Sequence, residues 1–171
     1  MDKDRRRELK RQAKEKISEQ DYVLNDGGLP RLGLMMLQAS EPDAETLNDS
    51  EYLAVVLTHV SEAMFPLDED IREINVQTIN SEGDTVLHYA CLWGDARAVR
   101  LLLASGSDVN ALGDMERSPL HVAVSNRFCD IVELLLSHGA HTNKKDLFGD
   151  TPLELADQMG YQDVSSLLGK R

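Results

Sequence analysis

The stretch RSPLHVA at residues 117–123 decides the fold, because related stretches stand at one fixed interval on either side of it. DTVLHYA at 84–90 precedes it by 33 residues, and DTPLELA at 150–156 follows it by 33. The leucine-rich runs VRLLL at 99–103 and VELLL at 132–136 keep the same interval. We call the equivalent positions of these copies a column. Because several columns recur at the same interval, the sequence predicts a stack of similar structural units.

The residue types within one copy predict a pair of helices followed by a loop. Ser118 can cap free backbone amides, and Pro119 suits the first position of a helix. The small side chain of Ala123 lets the paired helices approach closely. The leucine triplet at 134–136 makes the second helix apolar, and Gly139 ends it.

The column that ends the first helix predicts a left-handed backbone conformation. Gly94 and Gly160 occupy it in the first and third copies, and glycine adopts a positive φ without steric cost. Arg127 stands in this column of the middle copy, so the sequence predicts a weaker turn there.

The 33-residue period and the Thr-Pro-Leu-His-like motif resemble the ankyrin repeat family. The resemblance implies an all-α solenoid of three repeats, at 80–112, 113–145 and a truncated 146–171, with an N-terminal helical cap. It also implies that His88 and His121 tie neighbouring loops together by hydrogen bonds. The resemblance implies a protein-binding module and no enzyme, but it does not identify the partner, because the motif residues of this family are scaffold.

The N-terminal half does not hold the period. Residues 1–46 are interpreted as a helical extension and residues 47–79 as a degenerate helical capping unit. Within that unit a helix is predicted from about Asp49 to Phe65, and a further helical turn or two over 68–76. An uncovered end repeat would expose an apolar face to water, which favours a cap; a separate small domain is the alternative.

The net charge of −12 is unevenly distributed. Residues 1–16 carry eight Lys or Arg and four Asp or Glu, so the remaining residues carry −16. A body that acidic repels nucleic acid and anionic membranes and attracts basic proteins. We therefore expect a basic protein as the partner, neither nucleic acid nor membrane, and a chain that is a monomer or a heterodimer with its partner.

Cysteine usage and hydropathy bear on the compartment. Cys91 and Cys129 lie 38 residues apart without the spacing of a metal or disulfide framework, which predicts reduced thiols. The basic start is followed by no apolar stretch, so no signal peptide is predicted, and no run approaches the roughly 20 apolar residues of a membrane span. These features together predict a cytoplasmic protein.

The titratable residues predict no catalytic, cofactor or metal site. His138 and His141 flank a helix end, where positive charge suits the helix dipole, and no closed set of zinc ligands surrounds them in the sequence. The spacing of His59 and Glu62 puts both on one helix face but is common by chance, and the acidic run at 68–70 suits a helix start. The alternatives are a small catalytic or nucleotide-binding unit in the N-terminal half, or a structural spacer without a partner.

The candidate partner-binding residues lie on the loop tips and the outer face of the first helices, which the resemblance places on one concave surface. Exposed apolar side chains ringed by charge are typical of an interface core with a polar rim. The apolar candidates are Trp93, Leu112, Met115, Leu147, Phe148 and Met159. The polar candidates are Asp84, Asp114, Arg117, Asn126 and Asp150. Trp93 is the leading candidate for an anchor, because tryptophan is enriched among residues that dominate binding.

The loop style, GDM at 113–115 and FGDTPLELA at 148–156, resembles that of small bacterial ankyrin-repeat proteins. That resemblance implies an immunity protein that binds and neutralises a toxin. The acidic charge agrees with this role, since nuclease toxins are usually basic and opposite charge speeds association. An adaptor or regulator of a cytoplasmic signalling or transcription complex is the alternative.

Overall fold

The structure, a computed structural model, describes residues 47–64 and 74–169. These residues form seven α-helices and one short 3-10 turn at Asp114–Glu116, and β structure among them is limited to a single bridge between Ile79 and Thr85. The helices are α1 (Asp49–Met64), α2 (Val86–Trp93), α3 (Ala96–Ala104), α4 (Pro119–Ser125), α5 (Cys129–Ser137), α6 (Pro152–Gln158) and α7 (Gln162–Leu168). The predicted all-α fold is confirmed.

The first helix of each repeat begins at the cap that its sequence predicts. The hydroxyl oxygen of Ser118 accepts from the N–H of His121 at 3.4 Å, and Nδ1 of His121 accepts from the N–H of Ser118 at 3.2 Å. Thr151 and Glu154 form the same reciprocal pair in the third repeat. A proline takes the first helical position after both caps. Each pair satisfies two amides that a helix start leaves unpaired.

The turn between paired helices is left-handed in all three repeats. The φ angles are 74° at Gly94, 56° at Arg127 and 72° at Gly160. Gly94 is also restricted by packing, because a Cβ atom there would lie 2.7 Å from the ring of Phe128. The arginine of the middle repeat therefore adopts the same left-handed turn, in a conformation that disfavours residues with a Cβ atom.

The helices pack in two rows. In one row α2, α4 and α6 contact one another in succession, and in the other α3, α5 and α7 do so. Helix α1 packs mainly against α3 and so heads the second row. Its buried residues Tyr52, Val56 and Val60 are four positions apart, which places them on one helical face. The predicted N-terminal helical cap is thus a helix that extends the second row.

The bounds of the capping unit differ in one detail from the expected helix pair. Residues 74–76 of the predicted second helical stretch, 68–76, are not helical, and a turn is present at 76–77. The rest of that stretch lies outside the described residues, as does the predicted extension at 1–46.

Polar contacts attach α1 to the start of α3. The hydroxyl of Tyr52 donates to the carboxylate of Asp95 at 2.7 Å. Arg97 forms an ion pair with Asp49 at 2.9 Å, and its guanidinium lies 4.2 Å from the ring centroid of Tyr52. Burial and the hydrogen bond to Asp95 raise the pKa of Tyr52, so this hydroxyl remains a donor.

The third repeat has polar residues in two columns that are apolar and fully buried in the preceding repeats. Asp157 follows Cys91 and Val124 in one column, and Ser165 follows Val99 and Val132 in the other. The hydroxyl of Ser165 donates to the carboxylate of Asp157 at 2.6 Å, and both line an open groove of about 380 Å³. The pair makes this face of the stack compatible with water.

Candidate functional site

Three loops precede the first helices at the repeat interval, and we call them tip 1 (residues 79–85), tip 2 (residues 112–118) and tip 3 (residues 145–151). Each tip ends on the Ser or Thr that caps the following helix. The spacing between the tips is therefore set by the row of first helices on which they stand.

Tips 1 and 3 are closed by a side chain at their second residue. Oδ1 of Asn80 accepts from the N–H of Asp84 at 2.8 Å. Oδ1 of Asp146 accepts from the N–H groups of Phe148 at 2.9 Å and Asp150 at 3.1 Å. Gly113 stands in this column of tip 2, where it supplies no side-chain oxygen.

Tip 1 supplies the carboxylate that tip 2 lacks. Oδ1 of Asp84 accepts from the N–H of Asp114 at 3.0 Å, and the carboxylate occupies the space that a Cβ atom on Gly113 would need. Asp84 is one of the predicted partner-binding residues, and the structure places its carboxylate against the neighbouring tip. A glycine is therefore needed at residue 113, because the carboxylate of Asp84 from the preceding repeat lies where a side chain would be.

Tip 2 has a left-handed backbone at two successive residues that are not glycine. The φ angles are 56° at Met115 and 57° at Glu116, and the N–H of Arg117 bonds to the carbonyl of Asp114 at 3.1 Å. The column of Glu116 holds glycine in the other tips, with φ of 93° at residue 83 and 88° at residue 149. A non-glycine residue in this region costs roughly 1–2 kcal/mol. Sequence reasoning missed this strain, although the missing glycine signalled it.

Tips 2 and 3 are joined to each other. The N–H of Leu147 donates to the carbonyl of Met115 at 2.8 Å. The guanidinium of Arg117 lies 5.9 Å from the ring centroid of Phe148, within cation–π range. These contacts hold the two tips as one structural unit and fix the relative positions of their side chains.

A buried ion pair lies beneath this unit. Nε of Arg117 is 3.5 Å from Oδ2 of Asp146, and neither of these buried atoms has a hydrogen-bond partner. Burial opposes ionisation of Asp146, but the hydrogen bonds from the N–H groups of Asp150 and Phe148 favour the carboxylate, as does the positive charge of Arg117, and its pKa is lowered. The predicted partner-binding residue Arg117 therefore directs Nε inward.

The tips expose the predicted apolar side chains. Phe148 is 65% exposed, Leu147 63%, Leu112 45% and Met115 42%. Ile79, which was not predicted, is 60% exposed. It occupies the same column as Leu112, so the repeat register was the signal that would have identified it.

Trp93 is placed differently from the other apolar candidates. Its side chain is half-buried and packs against the hydrophobic core, with its ring edge-on to Tyr89 at a centroid distance of 5.8 Å. Trp93 is therefore only partly accessible to a partner, because the end of α2 lies against its own repeat, and its role as an anchor stays a prediction. The indole stabilises the fold and presents only part of its surface.

The remaining candidates lie at the C-terminal ends of the first helices and in tip 3. Met159 is exposed after the end of α6. Asn126 ends α4, and its side-chain amide donates to the carbonyl of Val122 at 2.9 Å. The carboxylate of Asp150 accepts from the side chain of Gln158 at 2.8 Å. The side chains of Asn126 and Asp150 are thus already engaged in hydrogen bonds within the chain.

Two buried histidines connect each first helix to the next tip. Nε2 of His88 lies 3.0 Å from the carbonyl of Arg117, and Nε2 of His121 lies 3.2 Å from the carbonyl of Asp150. Nδ1 of each ring accepts from the N–H of its own helix cap, so we infer that Nε2 carries the proton and donates. Burial lowers the pKa of both rings. The role implied by the family resemblance is seen at both positions.

The other histidine candidates are not brought together with further ligands. Nδ1 of His138 lies 2.9 Å from the carbonyl of Leu134 at the end of α5, and the N–H of His141 donates to Asn110 at 2.8 Å. Across 47–64 and 74–169, no group of three His, Cys, Asp or Glu side chains is arranged to hold a metal ion. The side chain of Glu62 and the acidic run at 68–70 lie outside what the structure describes.

Charge at the tips is predominantly negative. The three tips carry six carboxylates and two cations. Arg117 faces the buried Asp146, whereas the side chains of Glu82, Asp114 and Glu116 are exposed. The exposed acids belong to tips 1 and 2, and the most exposed pair of apolar side chains belongs to tip 3.

Comparison with known proteins identifies the family. A family model described as Ankyrin repeats (3 copies) matches residues 52–146 and 112–171. Rabankyrin-5 of Homo sapiens is 42% identical over 76 residues, which cover 44% of this chain and 6% of that protein. Protein phosphatase 1 regulatory subunit 27 of Homo sapiens is 35% identical over 86 residues, covering 50% and 56%.

A putative ankyrin repeat protein of Rickettsia bellii is 38% identical over 96 residues, which cover 53% of this chain and 29% of that protein. The aligned segments cover between 6% and 56% of the length of these three relatives. No helix in the described part of the chain is both long and apolar enough to cross a membrane. The chain belongs to the ankyrin-repeat family, whose repeats mediate binding between proteins.

Proposed function

We propose that this chain is a protein-binding module without catalysis, and that it binds its partner through the surface formed by the three tips and the first helices that follow them. The observation that carries the proposal is the exposure of Leu112, Met115, Leu147 and Phe148 on neighbouring tips. Contiguous exposed apolar side chains with a charged rim are typical of protein interfaces. A scaffold that served only as a spacer would have polar residues there.

The partner that this surface suits best is a basic protein. The net charge is −12, and exposed carboxylates surround the apolar side chains of tip 2. Opposite charge accelerates encounter and disfavours acidic competitors. In the specific form of the proposal, the chain acts in the cytoplasm as an immunity protein that neutralises a basic toxin by covering part of its surface.

A second candidate is a regulatory subunit or adaptor in a cytoplasmic signalling or transcription complex. The similarity of half of this chain to a protein phosphatase 1 regulatory subunit favours it. Both candidates use the same surface and differ in what binding does to the partner.

Co-purification of the tagged chain from its own cells, followed by identification of the partner, tests the proposal. Asp114→Lys should slow association with that partner, and the effect should shrink at high salt because exposed charges are screened. Suppression of a toxic activity in the purified partner favours the immunity role. Altered activity of an enzyme or transcription complex favours the regulator. Binding that is insensitive to substitutions on all three tips would contradict the proposed surface.

A further inference from the structure

The chemistry of the exposed side chains changes from tip 1 to tip 3. One column reads Glu82, Met115, Phe148. The column before it reads Ser81, Asp114, Leu147. In these two columns the acidic positions fall on tips 1 and 2 and the apolar positions on tips 2 and 3, whereas the column of Ile79 and Leu112 is apolar on tips 1 and 2 and holds Lys145 on tip 3. A partner that matches the first two columns changes from basic to apolar along its length.

We propose that tips 2 and 3 form a two-loop recognition unit for an extended protein segment that has apolar side chains over this unit and a basic side chain toward tip 1. This inference rests on the proposed protein-binding function and specifies the partner's chemistry and direction. Its first support is the connection between the tips. The backbone hydrogen bond from Leu147 to Met115 and the contact of Arg117 with Phe148 link the two tips before any partner arrives.

The second support is the backbone of tip 2. Met115 and Glu116 keep left-handed conformations where the other tips have a glycine in the second position. In that conformation Met115 lies exposed between two exposed carboxylates, Asp114 and Glu116. Backbone strain of this kind is concentrated at functional sites. We therefore assign Met115 and Glu116 as the residues that determine specificity for the segment.

The third support is charge. Asp84 is held against tip 2, which leaves Glu82 as the exposed acid of tip 1. Neighbouring repeats are about 10 Å apart and an extended chain advances about 3.3 Å per residue, so one repeat corresponds to about three residues of the partner. A segment that places an apolar side chain on tip 2 would place its basic residue on tip 1 about three positions away.

A phage-displayed library of random linear peptides, selected against the intact chain, tests this inference. We expect enriched peptides with an apolar residue about three positions from Lys or Arg, in one constant chain direction. One enriched peptide, made synthetically, then serves as the probe in titrations. Phe148→Ala and Glu82→Lys should each weaken its binding by roughly tenfold or more.

Glu133→Lys on α5 is the matched control for Glu82→Lys, because it makes the same charge change at an exposed position away from the tips. It should leave the affinity for the probe unchanged. Since all these positions are exposed, circular dichroism should show an unchanged fold. Glu116→Gly should weaken probe binding while leaving the chain folded.

The outcomes separate this inference from the proposed function. Two results would overturn the inference and leave the protein-binding function standing. In the first, the enriched peptides bind the tips but lack the basic residue. In the second, they bind the Glu82→Lys variant with the same affinity as the unaltered chain. Enriched peptides whose binding ignores Phe148→Ala and Met115→Ala would overturn both. A selection with no enrichment would count against a linear segment as the partner's binding element.

Discussion

At the scale of single residues, the two aromatic candidates differ in burial and therefore in the effect expected from their removal. Phe148 is 65% exposed and contacts Arg117, whereas Trp93 packs against the core beside Tyr89. Truncation of a residue that dominates an interface weakens binding, whereas truncation of a residue that stabilises the fold lowers the free energy of unfolding.

We expect Phe148→Ala to weaken partner binding by about 1–3 kcal/mol and to leave the unfolding transition within about 0.5 kcal/mol of the unaltered chain. Trp93→Ala should lower the free energy of unfolding by about 1–3 kcal/mol as well as reduce affinity, because it removes core packing. Calorimetric titration with the co-purified partner and urea denaturation measure the two effects. Unchanged stability of Trp93→Ala would contradict its structural role.

The buried histidines make stability depend on pH. Burial lowers the pKa of His88 and His121 below the value of the unfolded chain, so the unfolded state binds more protons as the pH falls. Their stabilising contribution is full above pH of about 6.5 and decreases as the pH falls from there toward the lowered folded-state pKa. Denaturation at several pH values between neutral and mildly acidic should show this loss.

His88→Gln with His121→Gln is the control for this pH dependence. Glutamine provides one acceptor and one donor, as the neutral rings do, but does not titrate. The double variant should show a flatter dependence over this pH window. An equally steep dependence would assign the effect to other groups.

At the scale of elements, tip 2 is the least regular of the three loops because it combines two departures from the other copies. Gly113 replaces the residue that closes tips 1 and 3, and Glu116 replaces their left-handed glycine. At the first departure Asp84 of tip 1 bonds to a different amide, the N–H of Asp114, and the second departure is retained as strain.

Glu116→Gly should raise the free energy of unfolding by up to about 1 kcal/mol, since relief of roughly 1–2 kcal/mol of backbone strain exceeds the added entropy of the unfolded chain. Gly149→Glu in tip 3 is the matched reverse change. Nothing lies within 4 Å of a Cβ atom at that position, so its expected destabilisation reports backbone strain alone. Denaturant titration measures both, and destabilisation by Glu116→Gly would show that the side chain has a structural role.

At the scale of the whole molecule, stacking of repeats creates the core, so each end of the stack must avoid presenting the apolar columns of its interior. Helix α1 packs against α3 on one side. On the other side, Asp157 and Ser165 occupy columns that hold buried apolar residues in the preceding repeats.

Asp157→Val with Ser165→Val should convert that face into one that resembles the interior of the stack. We expect the double variant to self-associate in a concentration-dependent way, because an apolar face of this kind is buried between repeats elsewhere. Sedimentation velocity at several concentrations measures it. Glu133→Val with Ser137→Val adds apolar side chains at exposed positions on α5 and should cause less association. Equal behaviour of the two variants would indicate a general effect of hydrophobicity.

The sequence by itself determined the repeat and its local geometry. The interval of 33 residues, the Ser and Thr caps and the left-handed turns at Gly94 and Gly160 follow from residues close together in the chain. Local hydrogen bonds and steric limits on φ decide such features, so a pattern of residue types is enough to predict them. The family resemblance, rather than any local rule, implied that Leu112, Met115, Leu147 and Phe148 lie on loop tips, where the structure exposes them.

Only the tertiary structure decided how those tips are connected and which candidates are free to meet a partner. The carboxylate of Asp84 bonds to tip 2, Arg117 turns Nε toward Asp146, and Trp93 packs against the core. Each of these depends on contacts between residues in different repeats or on the packing of a whole helix, which the order of residue types does not specify. Side-chain exposure and pairing are set by such non-local packing, so the sequence could name candidate residues but not their contacts.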